Sequence, residues 1–289
     1  MIPLFGPGGN SEAFKRAGYR SSLDAPRFVK ECGLDAYEYE AGQGIAGSPE
    51  MLAALGQNAA LLGVKVSFHT PYFISLSSVE PEKRVKSVGY LYESAVASSL
   101  LGAETMVVHT GSAAKISRAT AMEYAAETLL MADQMLCENG FAVKLGLETM
   151  GKQNQLGTLD EVIELCSLDP HFYPVVDFGH LNARERGGIF PDTDSYRRVF
   201  DAVAAGLGDE KARYMHCHFS KIEYTSAGEK RHLTFEDTVY GPAFEPLAEA
   251  LVRDGLCPRI ICESAGTMAE DALYMQNAYR LALNEDKRG

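Results

Sequence analysis

The stretch MHCHFSK, residues 215–221, places two of the chain's seven histidines one residue apart inside an apolar run. Side chains of a β-strand alternate between faces with a period of two, so His216 and His218 project to the same side. Two imidazoles on one face of a buried strand need partners there, because an unpaired polar group out of water costs free energy. Working outward, the same form recurs: KVSFHTPY reaches His69, TMVVHTG reaches His109 and KLGLETM reaches Glu148. YPVVDFGH then brings Asp177 and His180, and RIICESAG brings Glu263. Each is an apolar run that closes on an ionisable group.

These runs set the fold class. The spacing predicts strands over 2–5, 36–40, 65–70, 105–111, 144–150, 173–179, 214–220 and 259–265. Between them, amphipathic patterns predict helices over 22–32, 49–62, 82–101, 118–139, 159–168, 193–207, 245–254 and 268–283. Thr158 with Glu161 forms a capping-box pattern, and Gly63, Gly102, Gly140 and Gly255 stand where helices stop. Eight strand-then-helix units imply a parallel sheet with right-handed crossovers, the number that closes a TIM (β/α)8 barrel. We read the α/β chain as a single barrel domain over 1–289, with a doubly wound open sheet as the alternative. In a barrel the carboxyl ends of the strands converge on one face, where active sites of this fold lie. Histidines and carboxylates gathered there can share divalent metal, which offsets their desolvation and mutual repulsion. His171, after Asp169-Pro170 in a turn pattern, reads as a surface residue.

Composition narrows the function classes. With 289 residues and 46% hydrophobic content, the chain can bury roughly three quarters of its unfolded surface. No apolar run reaches the ~18 residues of a membrane span, and the first residues lack a signal peptide's basic start. A cytoplasmic monomer with no membrane partner is expected. The six cysteines form no C-x-x-C pair and read as reduced, packed thiols. A net charge of -12 excludes nucleic-acid binding through a global positive field, but leaves room for a local phosphate site built around cations.

In the residues that close the strands, the chain resembles the endonuclease IV group of apurinic/apyrimidinic endonucleases, within the xylose-isomerase-like TIM barrels, over about residues 69–263. HTPY at 69–72 with Ser75-Leu76 is similar to that family's H-x-x-Y…L, and VHTGS at 108–112 to its F-H-P-G-S. LET at 147–149 and QLG at 155–157 resemble its glutamate strand and S-x-L-G turn, and DFGH at 177–180 its D-T-C-H. Met215-His216 with Lys221 resembles M-H-L-N-D-x-K, and CES at 262–264 resembles L-E-T.

The resemblance implies a zinc cluster of two or three ions, with manganese or magnesium as other occupants. His69, His109 and Glu148 would hold one ion, and Glu148 would bridge to a second held by Asp177, His216 and Glu263. Such pairs, about 3.5–4 Å apart, serve in-line phosphodiester cleavage. The implied activity is hydrolysis of DNA at abasic sites, in DNA repair, with Glu148 or Glu263 orienting the attacking water. Tyr72 and Lys221 would touch substrate. His218 stands where the family carries asparagine, and reads either as a substrate or outer-layer residue or as a packed barrel histidine.

The pattern departs from the family in two places. The third ion would need His180 together with a D-x-H pair, but the loop here reads GEKRH at 228–232. If His232 is the family's histidine, Lys230 occupies the aspartate position; if Glu229 substitutes, the spacing has grown by one. Lys230 or Arg231 would then supply positive charge. At the end of the second strand, Tyr37-Glu38-Tyr39-Glu40 leads into a glycine-rich string, acidic where a DNA backbone needs cations. Weaker duplex affinity, or a nucleotide or phosphorylated sugar as substrate, follows. The GQGIAG string at 42–47 matches G-x-G-x-x-G, but the next strand ends in His69 and not in the acidic residue a dinucleotide site requires.

Two other classes remain open. A sugar isomerase or epimerase of this superfamily would hold one metal with Glu148, Asp177, His216 and Glu263, and two carboxylates would move a proton beside a carbonyl. His69 and His109 are superfluous to that site and favour the cluster. A noncatalytic, metal-stabilised barrel is the third reading.

Overall fold

In the strand AYEYE, the two tyrosines and the two glutamates must face opposite ways. The computed structural model, which describes residues 2–288, turns the tyrosines outward, with Tyr39 stacked on Phe68 at 5.7 Å, and the glutamates into the barrel. Eight parallel strands line that interior: β1 (Leu4–Pro7), β2 (Ala36–Glu40), β3 (Lys65–His69), β4 (Thr105–His109), β5 (Lys144–Glu148), β6 (Phe172–Asp177), β7 (His216–Phe219) and β10 (Arg259–Cys262). A hairpin of β8 (Ile222–Thr225) and β9 (Gly228–His232) rises between β7 and β10. The sheet runs β1-β10-β7-β6-β5-β4-β3-β2, a nearly closed single-domain TIM barrel. Its edges β1 and β2 meet through Gly9 N donating to Glu38 O at 2.9 Å and Asp35 N to Phe5 O at 3.0 Å. Only glycine fits at position 6 of that seam, since a Cβ there would lie 1.7 Å from the Ala36 carbonyl oxygen.

Parallel neighbours need crossovers, and seven main helices supply them, joined by an eighth after β10 in one outer ring: Ala25–Glu31, Pro49–Leu62, Pro81–Leu101, Arg118–Glu138, Leu159–Cys166, Thr193–Leu207, Glu245–Arg253 and, last, Met268–Asp286. Gly63 and Gly102 end two of them in the left-handed conformation, at φ 68° and 65°. No helix among the described residues is long and apolar enough to cross a membrane. Cys166, Cys217 and Cys262 are buried thiols.

The strand end at β6 differs from the sequence expectation of 173–179. Asp177 stops the strand because its Oδ1 accepts the backbone N–H of His180 at 2.7 Å, capping the short helix Phe178–Arg184. The hairpin β8–β9 departs from the expected pattern altogether, for its residues are mostly polar.

The Thr158 capping box forms as read. Thr158 Oγ1 accepts Glu161 N–H at 3.2 Å, and Glu161 Oε2 accepts the N–H groups of Thr158 and Gly157 at 3.0 and 2.8 Å. Thr158→Ala is expected to cost about 0.5–2 kcal/mol. Urea unfolding should show this as a lower midpoint at an unchanged slope.

Candidate metal centre

Glu148 closes β5 at the middle of the carboxyl mouth, fully buried, with four imidazoles around its carboxylate. His218 Nδ1 lies 3.0 Å from Oε1, and His180 Nδ1 3.5 Å from the same oxygen. His109 Nε2 and His69 Nε2 lie 3.2 and 3.5 Å from Oε2. His218 Nδ1 also stands 3.2 Å from Glu263 Oε1. Asp177, whose Oδ1 is spent on the helix cap, leaves Oδ2 3.4 Å from His180 Nδ1. On the far side His180 Nε2 faces Glu229 Oε2 at 3.5 Å, and the His180 and His232 rings lie 5.4 Å apart. A cavity of about 460 Å³ opens above, bounded by Tyr72, Met150, Lys152 and Gln155 as well as by the cluster.

Burial alone would push the Glu148 carboxyl up, but the close imidazoles of His109, His180, His218 and His69 outweigh it and hold the group well below the usual carboxylate range. Glu263 goes the other way: burial, reinforced by Glu148, Asp177 and Glu40, raises it well above that range despite His218. Burial and the Glu38 charge likewise bring Glu40 to about 7. Burial opposes the charged form of His69, yet Glu40, Glu148 and Glu38 raise it to about 10. Without a cation, acids and bases at this mouth satisfy one another only in part.

The residues fit divalent cations. Glu148 Oε2 and Asp177 Oδ2 are buried without a hydrogen-bond partner, an expensive state for a carboxylate. Zinc bonds of about 2.0–2.2 Å at a tetrahedral angle set ligand atoms about 3.3 Å apart, the spacing found here. The donor set is imidazole and carboxylate, suited to zinc or, where oxygen dominates, to manganese or magnesium. Sets whose ligand atoms all lie close enough to share one ion are His69, Glu148, His218 and Glu263; Glu148, Asp177, His180 and Glu263; and His180, His232 and Glu263, with His109 adjoining Glu148 and Glu229 adjoining His180.

His216 is not among them. Cross-strand register sets Asp177 beside His218 and Val175 beside His216, so His216 lies one pleat, about 6.6 Å, deeper in the barrel. Its Nε2 sits 3.0 Å from Glu38 and 3.3 Å from His218 Nε2, and its ring borders the cavity at the opposite mouth. His218 therefore stands where the sequence motif placed His216.

Lys221 donates to the carbonyl oxygens of Phe235 and Asp237 and ties down a loop instead of facing the cavity. Lys230 is exposed and pairs with Glu223 at 2.6 Å. Across the hairpin Glu223 pairs with Arg231 and Tyr224 with Glu229, leaving Lys230 as the extra residue of a bulge. That bulge brings Glu229 and His232, three positions apart, to one face. Tyr72, half-exposed at the rim, stacks on His109 with ring centres 5.7 Å apart. Sequence reasoning missed Glu38, Glu40, Lys152 and Arg184 as parts of this mouth. Buried Arg184 donates to the carbonyl oxygens of Met150, Lys152, Gln153 and Gln155, shaping the cavity wall. His171 is exposed beside Asp133, away from the mouth.

Comparison with known proteins places this geometry. The chain is 30% identical over 213 residues to an uncharacterized protein of Methanocaldococcus jannaschii, covering 74% of this chain and 76% of that one. It is 29% identical over 173 residues to a probable endonuclease 4 of Acholeplasma laidlawii, spanning 58% of this chain and only 56% of that relative. Among solved structures, endonuclease IV from Thermus thermophilus shares the fold at TM-score 0.70 and 20% identity, over 98% of this chain and 100% of that one. A D-tagatose 3-epimerase-like protein shares it equally, at TM-score 0.71 and 18% identity, over 98% and 99%. Residues 26–280 match the family model described as xylose isomerase-like TIM barrel, and the chain belongs to that family.

Proposed function

We propose that the chain is a zinc-dependent phosphodiesterase of the endonuclease IV kind, cleaving DNA at abasic sites. The observation that carries this reading is Glu148, whose two oxygens face separate histidine groups: His69 and His109 on one side, His218 and His180 on the other. A single-metal site has no use for the first pair. Bound by these residues, zinc supplies Lewis-acid polarisation of a phosphoryl oxygen and activation of water at neutral pH.

The protein's own groups do the rest. Glu148 fixes the separation of the two ligand groups. Of Glu148, Asp177 and Glu263, Glu263 is the most exposed, its side chain at 15% against 1% and 0% for the other two. It lines the cavity and is the residue we assign to orient the attacking molecule. Lys152, half-exposed on the cavity wall, carries the cation nearest an entering phosphate, a role the sequence pattern assigns to Lys221 or Lys230. Tyr72 offers a ring face to a sugar or base at the rim. The cavity volume suits a nucleotide-sized fragment.

The epimerase reading keeps one specific support: Glu148 and Glu263 both face His218 Nδ1 within 3.2 Å, with Asp177 beside His218 in strand register, and an uncharged sugar fits the acidic rim better than duplex DNA does. The test is a duplex carrying one abasic site, incubated with zinc-loaded protein beside an intact duplex. A single nick confined to the abasic strand is expected. Uncut strands together with epimerisation of a ketose would overturn the nuclease.

Metal binding should also release protons. In the metal-free protein His69, raised to about 10, carries a proton at neutral pH, and a ligand nitrogen must shed it. Zinc affinity is expected to rise from pH 6 to pH 9, and calorimetry in buffers of different ionisation enthalpy should show net proton release at pH 7.

A further inference from the structure

Three of the imidazoles at the mouth have a nitrogen hydrogen-bonded to the chain itself, although that of His180 also borders Asp177 and Glu148. His69 Nδ1 donates to the Thr70 carbonyl at 3.1 Å and His180 Nδ1 to the Thr149 carbonyl at 2.9 Å; a carbonyl only accepts, so the proton sits on Nδ1 in both. His232 Nδ1 meets the Ser220 hydroxyl at 2.9 Å. His218 is held differently. Its Nδ1 faces Glu148 and Glu263, and its Nε2 turns down the barrel to Glu38 Oε1 at 2.8 Å.

Glu38 is fully buried on β2, level with Ser67 of β3 and at the seam where the barrel closes. Among the described residues, no backbone amide or hydroxyl reaches either of its oxygens. Only the β7 imidazoles lie against them as ion-pair partners, His218 at Oε1 and His216 at 3.0 Å from Oε2. A carboxylate kept in so dry a place, with no structural hydrogen bond to make, acts on the histidine it touches.

We infer that Glu38 is a positioning residue whose carboxylate accepts the Nε2–H of His218, fixing the tautomer that leaves Nδ1, now hydrogen-bonded to Glu148 at 3.0 Å, available to a cation held with Glu148 and Glu263. His216 braces Glu38 from below, which gives the deeper histidine of the pair a role distinct from metal ligation. The inference rests on the metal-centre reading above. It needs both the inward glutamate of β2 and the His-x-His spacing of β7. An outer partner of this kind raises the basicity of the ligand nitrogen and holds the ring in its aim; losing one costs roughly 10–100-fold in metal affinity.

The test is zinc affinity by chelator competition on the full chain, comparing wild type with Glu38→Gln and Glu38→Met. Glutamine keeps a weaker acceptor and methionine removes it, so affinities should fall in that order, by roughly 10-fold and roughly 100-fold. The chelator-stripped variants should keep cooperative melts, which separates a lost orientation from a lost fold. Should a variant not fold, nitrogen-15 spectra of zinc-loaded wild type decide: His218 is expected to carry its proton on Nε2 and its metal-induced shift on Nδ1, and the reverse assignment overturns the inference. Wild type that binds zinc while both variants bind it equally well also overturns it and leaves the centre standing. Wild type that binds no zinc removes the centre itself, and this inference with it.

Discussion

Glu148→Gln is expected to abolish phosphodiester cleavage while leaving the barrel folded. Glutamine matches glutamate in shape, so the packing around this fully buried side chain is kept. What changes is one oxygen, replaced by an NH2 group that neither accepts a hydrogen bond nor binds a cation. Four imidazoles look to this carboxylate, and the amide satisfies only those facing its remaining oxygen. The two ligand groups then lose their common member. Lewis-acid stabilisation of the transition state is worth several kcal/mol, so kcat should fall by about 10³-fold or more. Urea unfolding of the metal-free variant should remain cooperative and close to wild type. Turnover retained at the wild-type level would take Glu148 out of the bridging position and the proposed chemistry with it.

Why the cluster was mostly legible, and why parts were not, follows from what local sequence encodes. His69, His109, Glu148, Asp177 and Glu263 each close an apolar run, and β-strands that end at one mouth bring such groups together whatever their sequence separation. His216 and His218 share a face, so strand parity has no power to choose between them. The choice is made by register against Asp177 on β6, a relation between strands that no single stretch contains. Glu38 and Glu40 were hidden for the opposite reason. Alternation of Tyr and Glu reads as an amphipathic strand with its acids in water, but a barrel packs the tyrosines against helices and encloses the acids. Glu229 was obscured by a bulge: residues three apart lie on opposite faces of a regular strand, and only the extra Lys230 restores them to one. Helix ends were more readable, since Gly63, Gly102 and the Thr158 box act through bonds within one turn.

Elemental analysis of protein purified without chelator is expected to give two or three zinc ions per chain, and chelation to remove both activity and a measurable part of the stability. A ligand that binds only the folded state stabilises it by RT ln(1 + [L]/Kd), about 2.7 kcal/mol per site at 100-fold excess over Kd. For a chain of this size each kcal/mol moves Tm by roughly 2–4 °C, so stripping even one site should lower Tm by several degrees, and zinc alone should restore it. The count discriminates between the two enzymatic readings because they use different residues. Glu148, His218 and Glu263, with Asp177 beside His218 in register, would hold one ion, and one manganese or magnesium per chain would transfer the assignment to a sugar epimerase. A second ion needs His69 and His109, so His109→Ala should lower the zinc count by one while the quartet keeps its own. His180, Glu229 and His232 account for a third, and Glu229→Gln should remove that ion alone. Each residue group thus answers to one step in the stoichiometry, and a count that ignores both substitutions would leave the histidines as ordinary lining of a polar barrel.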